Sequence, residues 1–225
     1  MADEKLENWI EKNIAGSSGE KIAYSEASPK KPTVVLSHGE KKQPLVVRRM
    51  PQPGAKQGQQ GPRSGTGILR VIPLGGLDEV GKNMMVFEYE NDIVIVDMGF
   101  QFPEEDMLGI DYVIQDITYL MDKVHKIRAI LITHGHLDHI GAIPYLLPKL
   151  GFPPIFSAKL SIGLIRKRLE EFNLLNKARL NEVDPGKSMK LGQFNIDWFR
   201  VNHSIPDGLG IFLRTPAGTC VHTGD

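Results

Sequence analysis

A chain of 225 residues with 41% hydrophobic content has enough apolar side chain for a real core, in one large domain or two small ones. It carries no apolar run near the roughly 20 residues that span a bilayer. Its charged start, Met1-Ala2-Asp3-Glu4-Lys5-Leu6, leads into no signal-peptide core. The single cysteine, Cys220, excludes an intrachain disulfide and reads as a small apolar filler. Together these features predict a cytoplasmic protein. The net charge of zero hides an uneven spread. Between residues 29 and 63 eight basic residues face Glu40 alone, net +7, which leaves −7 for the rest. A basic arm beside an acidic domain suits a polyanion partner, and equally a solvated linker.

In chain order, Leu6, Ile10 and Ile14, with Trp9, predict a short amphipathic helix over 4–14. From 15 to 67 the composition turns to Gly, Pro, Ser, Gln and Lys, which cannot bury enough apolar surface to fold. Residues 1–67 are therefore expected to form a mobile basic extension, and 68–225 the folded domain. A strand is predicted over 68–74. Gly76 to Lys82 then matches the first part of a phosphate-binding loop, G-x-x-x-x-G-K. The next residue is Asn83 instead of Ser or Thr, and a strand pattern follows instead of a helix, so the segment reads as a strand-to-strand turn.

A second strand over 84–90 and a buried one over 93–97 follow, the latter ending on Asp97. The acidic stretch with Glu104, Glu105, Asp106 and Asp111 reads as a solvated loop, with a hard-cation site as the alternative. A helix is predicted over 116–124, with Ile117, Leu120, Met121 and Val124 facing inward. The strand over 128–133 runs into His134-Gly135-His136-Leu137-Asp138-His139. Four of these six side chains bind transition metals, and a short loop at a strand end aims alternate residues into one cavity. A histidine-rich surface loop is the competing reading. Three of the chain's seven histidines in one hexapeptide argue against it.

Further helices are expected over 140–150 and 159–172, and short strands at 154–157 and 194–201. A hairpin of 209–214 with 219–223 closes the pattern. The order predicts an α+β fold, a mixed sheet with helices packed on it. His203 and Asp225 both fall where a strand leaves the sheet, and so join the candidate donors.

The motif His134-x-His136-x-Asp138-His139, with His203 and Asp225 downstream, resembles the metallo-β-lactamase superfamily. Segments around it, including Gly75-Gly76-Leu77-Asp78-Glu79-Val80-Gly81-Lys82-Asn83, Leu108-Gly109-Ile110-Asp111 and Val201-Asn202-His203-Ser204-Ile205-Pro206-Asp207, resemble the bacterial ribonuclease J family within it. The likeness runs from about 69 to 225. It implies an αββα sandwich, present here as its N-terminal portion, and a site for two zinc ions, with manganese as the alternative. His134, His136 and His203 would hold one ion, Asp138 and His139 the other, and Asp225 would bridge them. Asp138 would also orient the attacking hydroxide. Asp97 would stand behind the ligands and fix a histidine tautomer, with a structural strand-end role as the alternative, and His222 would stand behind them too or simply pack. A structural calcium would use Asp111 and the Gly109 carbonyl.

The implied activity is hydrolysis of single-stranded RNA, 5′→3′ with some endonucleolytic cutting and a preferred 5′-monophosphate, in RNA maturation and decay. The whole protein would be a homodimer or homotetramer. No residue is assigned to RNA contact. The family's second half of the sheet, its β-CASP insertion and a last ligand histidine lie beyond the pattern present here. The chain alone is accordingly expected to fold poorly, with an exposed apolar sheet face, and to hydrolyse little RNA. Two other readings are a related hydrolase acting on thioesters, lactams or DNA, and a non-catalytic RNA-binding fragment.

Overall fold

The strand β3 (Asp92–Val96) is buried at every position, because both faces of its sheet are covered. A computed structural model describes residues 67–225, and the expected helix over 4–14 and nearly all of the basic extension lie outside the described residues. β3 belongs to a six-stranded mixed sheet. It contains β1 (Leu69–Gly75), β2 (Met84–Tyr89), β3, β4 (Ile127–Leu131), β5 (Ile155–Ser157) and β6 (Leu180–Glu182), side by side in sequence order. The first three pair antiparallel and β3 to β6 pair parallel. A second, antiparallel sheet has the order β10-β9-β8-β7, from β7 (Ser188–Leu191), β8 (Phe194–Arg200), β9 (Leu209–Thr215) and β10 (Gly218–His222).

Alternation along β3 divides the core. Ile93 and Ile95 pack with Val86, Ile130 and Ile132 against the helices. Val94 and Val96 turn the other way, with Phe87, Ala129 and Leu131, onto Phe194, Ile196, Trp198, Ile211 and Leu213 of the second sheet. The layers among the described residues are thus helices, sheet and sheet, where the sequence order alone predicts one mixed sheet. Strands β6 and β7 escaped the sequence reading because each is only three or four residues long and mostly polar. Asp92 pins the two sheets. It pairs with Arg128 and accepts the Gln193 N–H at 2.8 Å from the β7–β8 turn.

The outer face of the second sheet is mixed instead of apolar. Asn195, Arg214 and Thr219 are exposed there beside half-buried Phe199 and Phe212 and exposed Val221. The loop between β1 and β2 joins antiparallel neighbours, which agrees with a strand-to-strand turn.

The helices are shorter than expected. Over 116–124 only α1 (Thr118–Met121) is helical, and the chain tightens into i→i+3 bonds, Leu120 to Ile117 and Lys123 to Leu120. Met121 is consequently exposed, although Ile117 and Leu120 are buried. The expected helix over 140–150 is two single turns, α2 (Leu137–Ile140) and α3 (Ile143–Leu146). Two competing bonds explain the break. The Ala142 N–H donates to the Met98 carbonyl at 3.0 Å, and the Asp138 carbonyl it would have used accepts from Asn83 at 3.1 Å. The helix α4 (Lys159–Glu171) matches its expected range. It buries Ser161, Ile162, Ile165 and Leu169, while Leu164 stays at the rim against Gly135.

Candidate metal centre

The parallel strands β3 and β4 end side by side, and ligands gather at the carboxyl ends of such strands. After β3 the chain turns sharply at Asp97 (φ 61°), and after β4 it enters the His134–His139 segment. The second sheet delivers His203 shortly after β8 and Asp225 shortly after β10. A cross-sheet bond fixes the two ends together, with the Leu209 N–H donating to the Thr133 carbonyl at 2.9 Å. Gly224 (φ 63°) passes close to Thr133, where a Cβ would stand 3.1 Å from the Thr133 Cβ.

The donors form two groups. In the first, His134 Nε2 lies 3.0 Å from His136 Nδ1, and His203 Nε2 lies 3.2 Å from the same atom. One proton on His136 Nδ1 can serve only one of those neighbours. Three ring nitrogens converging this closely suit a shared cation. Burial, with the neighbouring His139 next, pushes His134 down to about 4, so its ring is neutral at pH 7 with a lone pair free.

The second group is built of carboxylates around His139. Its Nε2 lies 3.3 Å from Asp138 Oδ2 and 3.4 Å from Asp225 Oδ2, and its Nδ1 lies 2.8 Å from Asp97 Oδ2. Burial alone acts to lower His139, but hydrogen bonds to Asp138 and Asp97 outweigh it and hold the ring up at about 10. The site therefore favours positive charge at that position. Asp138 is lowered, first by its hydrogen bond with His139. His134, His139 and Asp225 also present ligand atoms within 4.8 Å of one another, as do His134, His136 and His203. The two sets of three thus meet at one member, His134, and donors of this kind fit divalent cations.

Contacts behind the donors are as specific as the donors. Asp97, 1% exposed, accepts the Thr133 N–H at 2.8 Å and the Thr133 hydroxyl at 2.8 Å as well as facing His139. His222 accepts the Gly224 N–H at 3.2 Å through Nδ1, and burial lowers its pKa. Gly109 (φ 80°) and Asp111 lie in an exposed loop, and Asp111 belongs to neither group of converging donors found among the described residues. Cys220 is half-buried against the inter-sheet core, and burial raises its thiol.

Sequence reasoning passed over two residues. Asn83 counts in the sequence against a phosphate loop and within a family-like segment, with no role at the site, yet its side-chain amide contacts both Asp138 and His139. Thr133 read as the last residue of an apolar strand, yet its hydroxyl anchors Asp97 and lies 3.0 Å from His134 Nδ1. Their distance in sequence from their partners hid them.

Comparison with known proteins agrees with this geometry. The family pattern for the metallo-beta-lactamase superfamily matches residues 77–225, and the chain belongs to that superfamily. Metal binding is the property this membership and the His/Asp cluster share. Within the superfamily the sequence is similar to ribonuclease J. The protein of that name from Thermus thermophilus is 44% identical over 196 residues, which is 84% of this chain and 33% of that protein. Ribonuclease J 1 of Streptococcus pyogenes is 44% identical over 155 residues, 69% of this chain and 28% of that protein. The resemblance read from the sequence motifs is borne out, and the chain spans about a third of the length of the curated relatives it matches. A solved structure of a protein of unknown function from Enterococcus faecalis superposes with a TM-score of 0.54 at 17% identity. It covers 70% of this chain and 43% of that one, and supports the fold. Among the described residues no helix is long and apolar enough to cross a membrane.

Proposed function

We propose that this chain carries the metal centre of a ribonuclease that hydrolyses phosphodiesters of single-stranded RNA in the cytoplasm. The observation that carries the reading is the pair of converging donor sets that meet at His134, in a sequence 44% identical to ribonuclease J. His134, His136 and His203 would hold one zinc. Asp138 and His139 would hold a second, with Asp225 between them. Two such ions lower the pKa of a water and stabilise the charge that develops on phosphoryl oxygens during in-line displacement.

The chain's own residues do the rest. Asp97 takes the Nδ1–H of His139, which leaves Nε2 as the ligand atom. Neutral His134 adds no charge to the site, so a bound cation keeps its attraction for a phosphodiester. Asp138, partly open to solvent beside His139, is placed to orient the attacking oxygen and accept its proton. Asp225 faces both groups, with its Oδ2 3.4 Å from His139 Nε2 and 3.7 Å from His203 Nε2. The polyanion preference of the basic segment between 29 and 63 adds salt-dependent affinity for RNA. Residues 1–67 act as an extension to a catalytic domain that begins at 68. For the whole protein the reading includes 5′→3′ degradation from a 5′-monophosphate, some internal cleavage, and a dimeric or tetrameric assembly. A calcium ion at Asp111 and Gly109 completes it as a structural element.

The test is a gel assay of the zinc-loaded whole protein on 5′-monophosphorylated and 5′-triphosphorylated single-stranded RNA, beside this chain alone, which is expected to hydrolyse little RNA. Shortening of the monophosphorylated RNA, lost in the Asp138→Asn variant, is expected. Intact RNA alongside hydrolysis of a β-lactam or thioester would contradict the reading.

A further inference from the structure

The loop Gly75 to Asn83 supplies none of the converging donors, yet its last residue reaches the centre. Asn83 is anchored there by its backbone. Its N–H donates to the Asp138 carbonyl at 3.1 Å, and its carbonyl accepts the Gly99 N–H at 3.0 Å. Its side chain makes three further contacts through Nδ2. These are 3.2 Å to the Asp138 carbonyl, 3.1 Å to Asp138 Oδ2 and 3.1 Å to His139 Nε2. An amide nitrogen has two protons. The two Asp138 oxygens can accept both, so His139 Nε2 is left to face Asp138 and Asp225.

The glycines of the loop make this approach possible. A Cβ at Gly76 (φ 82°) would stand 2.4 Å from Asn83 Oδ1, and one at Gly75 would stand 2.2 Å from the Lys82 carbonyl. The Gly-Gly pair at the end of β1 therefore clears the ground for Asn83. The loop is also braced within itself. Glu79 accepts the Gly76 N–H at 3.1 Å and pairs with Lys82 at 3.0 Å.

We propose that Asn83 is a positioning residue for the second donor group: its amide fixes the Asp138 carboxylate so that Asp138 Oδ2 and His139 Nε2 face one cation. This rests on the two-ion reading of the site. The backbone bonds of Asn83 hold the loop without its side chain, so the side chain's contribution is separable. The first group, His134, His136 and His203, makes no contact with Asn83 among those found, and provides an internal reference.

The experiment is a titration of the full chain with cobalt(II), followed by visible absorption and by metal analysis, for wild type, Asn83→Ala and Asn83→Asp. Asn83→Asp keeps the shape, removes the donor and adds a like charge beside Asp138. Each variant is first checked for its thermal transition. Asn83→Asp supplies the reading if Asn83→Ala does not fold. The expected result is a second cobalt bound roughly 10–100-fold more weakly in both variants, with the first within about threefold of wild type. Gly76→Ala, which displaces the Asn83 side chain, should shift the same site in the same direction. Unchanged second-site affinity overturns the proposal. Equal weakening at both sites also overturns it, because Asn83 would then only hold the fold. A wild-type chain that binds no cobalt overturns the two-ion reading itself, which is a separate outcome.

Discussion

The two donor groups use the same residue type in opposite ways. His134 and His139 are both buried, and their ring centroids lie 4.0 Å apart. One is pushed down to about 4 and the other held up at about 10. The difference lies in what surrounds each ring. His134 is surrounded by the three rings of His136, His139 and His203, while His139 has Asp97 on one nitrogen and Asp138 and Asp225 around the other. Both groups depend on the docking of the two sheets, since His203 and Asp225 both come from the second one. The carboxylate group depends on a local clamp, with Asn83, Asp97 and Thr133 bonded directly to it or to one another. A fold can therefore give two neighbouring imidazoles opposite charge preferences within one site.

That contrast can be broken from either side. Asp97→Ala should do most damage. It strips partners from Thr133 and His139 in a dry interior, and is expected to destabilise the metal-free chain by about 3 kcal/mol in a denaturant titration. It should also release the second metal. His136→Ala should leave stability nearly intact yet weaken the first metal by more than about 100-fold in competition with a chromophoric chelator. Asp138 and its neighbours should still bind the second.

A pH series on the metal-stripped chain tests the opposed histidines. His139 has a raised pKa, so its contribution is fully present below about 6.5, its usual value. It is lost as pH rises towards about 10. His134 has a lowered pKa, so its contribution is present above about 6.5 and is lost as pH falls towards about 4. Stability from these two groups should peak near neutrality. His139→Gln should flatten the alkaline limb while leaving the acid limb, as followed by thermal melts. The smallest effect is expected at Asp111→Asn. It should alter calcium binding in a calorimetric titration and leave both transition-metal sites unchanged, since Asp111 stands apart from the converging donors.

The donor residues were legible from sequence because they cluster. A hexapeptide with three histidines and an aspartate points to metal without any fold, and the strand-end positions of Asp97, His203 and Asp225 follow from hydrophobic runs. Strands β3 and β4 were legible for the same reason, since 93–96 and 129–132 are unbroken apolar runs. Partners distant in sequence were not. Asn83 and Asp138 are 55 residues apart, and nothing local announces their bond. The helix expected over 140–150 is longer than the observed turn Ile143–Leu146 because apolar spacing at Ile143, Leu146, Leu147 and Leu150 fits a continuous helix, and the turn Leu137–Ile140 falls mostly in the segment that reads as a loop. Competition from Met98 and Asn83 for backbone partners breaks it. The second sheet was read as part of the first because alternation shows that a strand is half-buried, not which sheet it joins.

Zinc stoichiometry tests the central claim most directly. Native mass spectrometry of the chelator-stripped chain, reloaded with zinc, should show two ions in the wild type. Each of the His136→Ala and Asp138→Ala variants should retain one. A single zinc in the wild type that both variants lose, or no zinc at all, would contradict a centre made of two separable halves.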